Sequence, residues 1–403
     1  MKYIVFLGDG MADYPNAELG NKTPLEVAKK PNMDYFAKKG ICGMAKTVPE
    51  GMKPGSDTAN LSVMGYAPEK YYTGRSPLEA VSVGVPLNDA DITFRANLVT
   101  LSDEENYADK TMIDYSSDEI TTEEAHALIA DLAKELNTDT LQLYPGFSYR
   151  HILVWRNGEL DFELTPPHDI SDRKVTEYLP KGKNAHVLQE IMEKSEKILK
   201  DHPVNKARIA RGLRPAVSLW IWGEGRKAVL DSFADLYGVK GAVVSAVDLI
   251  KGIGLSAKMV CPDVEGATGN IHTNFDGKAQ AGIELLKEND MLYMHLEAPD
   301  ECGHRREVEN KVRSIELIDE KIIAPIIADL KARGEDYRVL LMPDHPTPLD
   351  LKTHVSDPVP FVLYDSTNEK EGAEAYTEKM CEATGVYLDK ASELMGHLIK
   401  KTL

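Results

Sequence analysis

The run Tyr3-Ile4-Val5-Phe6-Leu7 is apolar without interruption and stops at Gly8-Asp9-Gly10. It shows no alternation of apolar and polar residues, so it reads as a strand buried on both faces, the situation of a parallel sheet covered on two sides. Three later segments repeat the pattern: Gly241 to Ser245, Met291 to Leu296 and Val339 to Met342. Helical periodicity separates them, from Lys278 to Glu288 and from Val308 to about Arg333. Strands alternating with helices predict a doubly wound, mostly parallel α/β layer, in which ligands bind beyond the carboxyl ends of the strands. Asp9, Glu297 with Asp300, and Asp344 all fall at such ends.

The middle of the chain has another character. From about Val81 to Trp222 come short strands (TFRANLVTL, YRHILVW, VSLWIWG) and two amphipathic helices, near Thr122 to Leu136 and Ala185 to Leu199. Pro166-Pro167, Pro180, Pro203 and Pro215 punctuate this stretch. It reads as an α+β domain over 77–226, inserted into a first domain made of 1–76 and 227–403, with hinges near Tyr72 to Pro77 and Gly223 to Arg226. A chain of 403 residues can hold two cores, at roughly one domain per 150 residues.

Charge narrows the partners. With 65 acidic against 47 basic side chains the formal charge is -18, which disfavours nucleic acid and leaves a small anionic substrate in need of a local basic pocket. Cys42, Cys261, Cys302 and Cys381 show no CxxC spacing, so neither a disulfide framework nor a structural zinc site is expected, and a reducing cytoplasm fits. The opening apolar run is too short for a signal peptide or a membrane span, so no membrane partner is expected.

Aspartate and histidine recur at the strand ends: Asp9, then Asp300 and His304 in APDECGH, Asp344-His345 in LLMPDHPTP, and His354 in LKTH. Taken singly, each fits an ordinary polar turn as well as a metal site. Taken together, the sheet brings their loops to one edge, where carboxylate and neutral imidazole can hold divalent metals. The mixed set suits Mn²⁺ or Zn²⁺ first, with Co²⁺ or Mg²⁺ next.

Ser56 in KPGSDTAN stands at the start of a helical pattern, where capping alone accounts for a serine. A helix N-terminus also favours phosphate, and neighbouring metals would lower the hydroxyl pKa enough to make a nucleophile. A phosphorylated substrate needs cationic clamps as well. Candidates are Arg150 and His151 in SYRHILV, His168 and Asp169 in PPHDISD, the triplet Arg208, Arg211 and Arg214, and Lys251 in DLIKGIG. Each of these also suits a solvated surface.

GDG at Asp9, PGSDTANLSVMGY at Ser56, YYTGR with PLEA, GATG with TN over Gly266 to Asn274, APDECGH, and PDHPTP with TH run in order over essentially the whole chain. Together they resemble the archaeal-type, cofactor-independent phosphoglycerate mutases of the alkaline phosphatase superfamily. The resemblance implies a phosphatase-like metal domain carrying an inserted, substrate-gripping one. It implies two divalent metals, one held by Asp300, His304 and His354, the other by Asp9, Ser56, Asp344 and His345. Ser56 would be phosphorylated in turn while 3-phosphoglycerate and 2-phosphoglycerate interconvert without 2,3-bisphosphoglycerate. Arg150, His168, Asp169 and an arginine of the Arg208 to Arg214 cluster are similar in kind to that family's glycerate-binding residues.

One position departs from the pattern, with Ser76 where TGRGPLEA has glycine. If that glycine needs a positive φ, the serine costs about 1 kcal/mol or more. A homoserine kinase on the same scaffold and a plain phosphomonoesterase share the metal and serine motifs. A metal-stabilised binding protein without turnover is a further alternative. No Walker-type GxxxxGK[ST] is present to supply that mode of ATP binding to the kinase.

Overall fold

The computed structural model describes residues 1–400 and 403. Among them the chain order of strands is β1 (Lys2–Gly8), β2 (Ile41–Ala45), β3 (Ile92–Leu101), β4 (Met112–Asp114), β5 (Leu141–Phe147) and β6 (Arg150–Trp155). There follow β7 (Ser218–Arg226), β8 (Gly241–Val244), β9 (Met291–Leu296), β10 (Tyr337–Met342), β11 (Val359–Asp365) and β12 (Tyr387–Leu388). Packing divides the chain into Met1–Tyr72 with Leu230–Leu403, and Thr73–Val229, so the joints fall a few residues outside the expected 76/77 and 226/227.

In the first unit, seven strands form one sheet in the order β12-β2-β11-β10-β1-β9-β8. β1 lies inside it, parallel to β10 on one side (Val5 beside Leu340) and to β9 on the other (Val5 beside Tyr293). Its uninterrupted apolar run is explained by burial of both faces, with Ile4, Val5, Phe6 and Leu7 all inaccessible. β8 continues the parallel set, whereas β11 runs antiparallel to β10 and β2. β2 and β11 had no counterpart among the expected strands. β2 carries Gly43, where a side chain would press on the Val386 carbonyl, so a strand-breaking residue there reflects close backbone approach.

The long helix expected from Val308 is built as Val308–Leu317, a π segment Ile318–Ile323, and Ala324–Ala332. Pro325 explains the wider turn, since it offers no N–H and its ring crowds the turn before it. The π segment also carries the buried Asp319, whose carboxylate accepts from Met33 N (2.8 Å), Asn32 N (3.2 Å) and Asn32 Nδ2 (2.8 Å). Those amides open the helix Pro31–Lys39, whose own cap residue, Lys30, makes no side-chain cap bond. A residue 287 positions away therefore caps this helix.

The second unit is a five-stranded antiparallel sheet, β4-β3-β6-β5, with β7 also paired to β3. The helices Thr122–Leu136 and Ala185–Leu199 bury Leu128, Leu132, Leu188 and Met192 against it. Ser76 has no positive φ and opens the helix Ser76–Ser82, its hydroxyl donating to the Thr93 carbonyl at 3.0 Å. The positive φ falls on Gly74 instead, so the expected strain at Ser76 is absent. Among the described residues no helix is long and apolar enough to cross a membrane.

Asp319→Ala is expected to lower the unfolding free energy by about 1–3 kcal/mol, the cost of losing a cap and leaving buried amides unpaired. Urea denaturation measures this, and an unchanged midpoint would show that the cap contributes nothing.

Candidate active site

In the first unit, three neighbouring strands deliver acidic and imidazole groups to one edge. Asp9 follows β1, His295 lies within β9, Asp300 and His304 sit on the helix Ala298–Arg305 after it, and Asp344 with His345 follow β10. His354 returns from the loop beyond. The approach is tight at Gly10 (φ 61°), where a Cβ would lie 2.6 Å from Asp300 Oδ1 and from Thr347 Oγ1. Glycine after Asp9 is thus required by both conformation and space.

Two groupings share the edge. Asp300 Oδ2 lies 3.3 Å from His304 Nε2, Asp300 Oδ1 lies 3.3 Å from His354 Nε2, and the two Nε2 atoms are 2.9 Å apart. His304 Nδ1 is 2.9 Å from the Lys352 carbonyl, which only accepts, so that nitrogen carries a proton and Nε2 is the atom directed inward at Asp300. Around Asp9, His295 Nε2 lies 3.1 Å from Oδ2 and His345 Nε2 lies 3.5 Å from Oδ1. His345 Nε2 is also 3.4 Å from Asp344 Oδ2. Asp9, His295 and Asp344, and likewise Asp9, Asp300 and His345, each offer ligand atoms within 4.8 Å of one another.

Electrostatics says what this edge lacks. Burial, then the charges of Asp344, Asp300 and Glu297, push the Asp9 carboxyl well above the ordinary range. Asp9 Oδ1 and His295 Nε2 are buried without a hydrogen-bond partner. Burial works against His304 taking a proton, but Asp300 overcomes it and raises the ring to about 9. The cluster draws positive charge, and its mixture of carboxylate oxygen and imidazole nitrogen fits a divalent cation of the Mn²⁺ or Zn²⁺ kind.

Ser56 is the first residue of the helix Ser56–Val63, and its Oγ lies 3.2 Å from His345 Nε2. Asn60, one turn on and fully buried, donates through Nδ2 to the Ser56 carbonyl (2.8 Å) and to Asp344 Oδ2 (2.8 Å). Tyr293 OH donates to Asn60 Oδ1 at 2.7 Å, which fixes the amide's orientation. The serine is thereby tied to the carboxylate loop through one amide.

His295, Asn60 and Tyr293 are additions to the residues named from sequence. A histidine inside the otherwise apolar MLYMHL run was the available signal.

The cationic candidates divide. In the second unit, Glu79 lies between two arginines, with Arg75 Nε at 2.8 Å and Arg95 Nε at 3.0 Å. Arg95 is buried with its guanidinium 4.4 Å from the centre of the Trp222 ring, and His168 lies against the same ring at 5.3 Å. Burial lowers the Arg95 pKa to about 10, with Arg75 and Arg150 adding to that effect and Glu79 opposing it. Three arginines around one carboxylate leave a local positive excess beside His168. Arg95, a charge inside a buried strand, was the sequence signal for this group.

The arginine triplet is not gathered there. Arg208 is buried and bonded to Glu124 and to the Ser117 and Arg214 carbonyls. Arg211 also pairs with Glu124, and Arg214 pairs with Asp114 at 3.1 Å. Lys251, in the first unit, pairs with Asp263. Asp169 is exposed, 3.7 Å from His168. His151 is buried, its Nδ1 accepting from Gly146 N at 3.0 Å, and desolvation holds its pKa down to about 3. Apart from Asp169, these groups have acidic or backbone partners that sequence alone could not place opposite them.

A family model described as 2,3-bisphosphoglycerate-independent phosphoglycerate mutase matches residues 37–205. A relative of that name from Methanothrix thermoacetophila is 47% identical over 399 residues, covering 99% of this chain and 100% of its own. A probable 2,3-bisphosphoglycerate-independent phosphoglycerate mutase from Geobacter sulfurreducens is 48% identical over 402 residues, covering 100% of both. A solved structure of a Pyrococcus horikoshii protein superposes with a TM-score of 0.83 at 28% identity, covering 100% of this chain and 98% of that one. The cofactor-independent phosphoglycerate mutase of Thermoplasma acidophilum, at 24% identity and TM-score 0.67 over 100% of both chains, shares the fold.

The depressed His151 sets a pH dependence. The unfolded chain takes up a proton as pH falls through roughly 6.5, whereas folded His151 resists until about 3, so its contribution is complete above the first value and declines towards the second. Between pH 6.5 and 4, chemical denaturation should show a pH slope shallower in His151→Gln than in wild type, by up to about 1.4 kcal/mol per pH unit. Identical slopes would overturn this.

Proposed function

The chain belongs to the 2,3-bisphosphoglycerate-independent phosphoglycerate mutases, and on that premise we propose that it interconverts 3-phosphoglycerate and 2-phosphoglycerate by way of a phosphorylated Ser56. The observation that carries this reading is the Ser56 hydroxyl at 3.2 Å from His345 Nε2, beside a buried carboxylate and imidazole cluster that draws cations.

Asp300, His304 and His354 would hold one divalent metal, and Asp9, Asp344, His345 and Ser56 a second, with His295 beside Asp9. Such metals supply Lewis-acid charge that lowers the serine pKa and stabilises the oxygens of the transferring group. In the first step Ser56 Oγ loses its proton and bonds to phosphorus while the bond from phosphorus to the glycerate 3-oxygen breaks, that oxygen gaining a proton. In the second, the 2-hydroxyl loses its proton and takes the phosphoryl group, and Ser56 Oγ is reprotonated. Asn60 keeps the serine backbone and Asp344 in fixed relation throughout. The free thiols of Cys42, Cys261, Cys302 and Cys381 suit a cytoplasmic setting for this reaction.

Glycerate must be retained between the steps. Arg75, Arg95 and Arg150, ordered around Glu79 and flanked by His168, form the positive group best suited to its carboxylate. The relatives from Methanothrix thermoacetophila and Geobacter sulfurreducens bear the mutase name, and neither a kinase or phosphatase name. No geometry favours homoserine phosphorylation or net hydrolysis over mutase chemistry.

Metal-reconstituted protein should form 2-phosphoglycerate from 3-phosphoglycerate without added bisphosphoglycerate, and Ser56→Ala should lose at least about 1,000-fold in kcat and all labelled phosphoenzyme. Homoserine phosphorylation from ATP without mutase activity would sink the reading. Arg150→Ala should raise KM for 3-phosphoglycerate about tenfold or more, the loss of one charge-assisted contact. An unaltered KM would remove Arg150 from the substrate grip.

A further inference from the structure

One hydroxyl joins the two ligand groupings. Thr347 Oγ1 lies 2.5 Å from Asp300 Oδ1 and 3.3 Å from His345 Nδ1, and all three residues are buried. A hydroxyl has a single proton, and the Asp300 carboxylate, set between His304 and His354, only accepts. The threonine proton therefore goes to Asp300. The contact with the ring can then be a hydrogen bond only if His345 Nδ1 carries the proton, donating to the threonine oxygen. That leaves the His345 lone pair on Nε2, the atom facing Ser56, Asp9 and Asp344.

We infer that Thr347 is a positioning residue that sets the His345 tautomer and, through the same oxygen, couples the Asp300 grouping to the His345 grouping. Its own placement is fixed by the chain around it. Pro346 and Pro348 restrict the backbone on both sides. Thr347 N donates to the Ala12 carbonyl at 3.3 Å, and its carbonyl accepts from Lys311 Nζ at 2.8 Å. Lys311 is in turn paired with Asp13 at 2.7 Å, both side chains buried. Imidazole ligands whose far nitrogen is held this way bind metal in one orientation, and loss of such partners typically weakens metal affinity 10- to 100-fold.

The inference rests on the metal reading of the preceding subsection, and the test separates the two. Wild-type protein, Thr347→Val and Thr347→Ser are stripped of metal and titrated with Zn²⁺ against a chromophoric chelator. The imidazole ¹⁵N resonances of Zn²⁺-loaded wild type are recorded alongside. We expect His345 to be protonated at Nδ1 in wild type, Zn²⁺ affinity to fall at least about tenfold in Thr347→Val, which keeps the shape without the hydroxyl, and Thr347→Ser to recover most of it. Equal Zn²⁺ affinity in wild type and Thr347→Val, or a wild-type His345 protonated at Nε2, would overturn the inference while leaving the metal reading intact. A wild-type protein that takes up no Zn²⁺ would overturn both. The wild-type spectrum decides the tautomer even where the valine variant does not fold.

Discussion

Negative charge held out of water at the carboxyl edge of a parallel sheet governs this molecule. Asp9, Asp300 and Asp344 are buried together, and Asp9 is pushed towards protonation because its neighbours are carboxylates in a dry place. Charges so arranged persist only when counter-charges join them. The imidazoles of His295, His304, His345 and His354 lie among them, candidates to share that role with metal ions, and Ser56 Oγ is 3.2 Å from His345 Nε2. On the proposed reading the serine's reactivity would follow from this electrostatic deficit, since an isolated helix-start hydroxyl would only cap its helix.

Much of this was legible in the sequence. Largely apolar runs with carboxylates just beyond them marked β1, β9 and β10, and the strand-end rule gathered Asp9, Asp300 and Asp344 without any contact information. What stayed hidden required a second partner to define it. β2 is short and contains a glycine whose place is set by the Val386 carbonyl, and β11 carries Pro360 within its run. His295 sits inside a strand rather than at its end, so its ring joins the edge through sheet geometry alone. Arg208 and Arg211 looked like anion ligands until Glu124 was found opposite them, and only folding reveals that pairing. Arg95 was hidden for the mirror reason: Arg75 stands four residues before Glu79, but nothing local in sequence says that Glu79 also draws Arg95.

The two units carry different kinds of information. The first presents chemistry common to many phosphoryl-transfer reactions, fixed by a rigid sheet and the amide of Asn60. The second presents a positive group patterned by Glu79, Trp222 and His168, and on the proposed reading it is there that one acceptor hydroxyl would be told from another. Substitutions in the first unit should therefore act on rate for every substrate, and substitutions around Glu79 on choice among substrates.

The strand order also bears on how the protein reaches its native state. β1 is made first, yet both strands that flank it come from the last third of the chain, and the two ligand groups that include Asp9 span that separation, whereas Asp300, His304 and His354 all lie in the last third. Pairings so remote are slow to form, because a long loop must close before any contact rewards it. No partial fold of the first seventy residues can assemble the groups that include Asp9, so on the proposed reading a metal held there could not template early folding. It can only arrive late and lock the finished topology, stabilising the native state by mass action. Metal supply would then govern how long a completed molecule survives, while leaving the rate at which new molecules complete themselves to the chain alone.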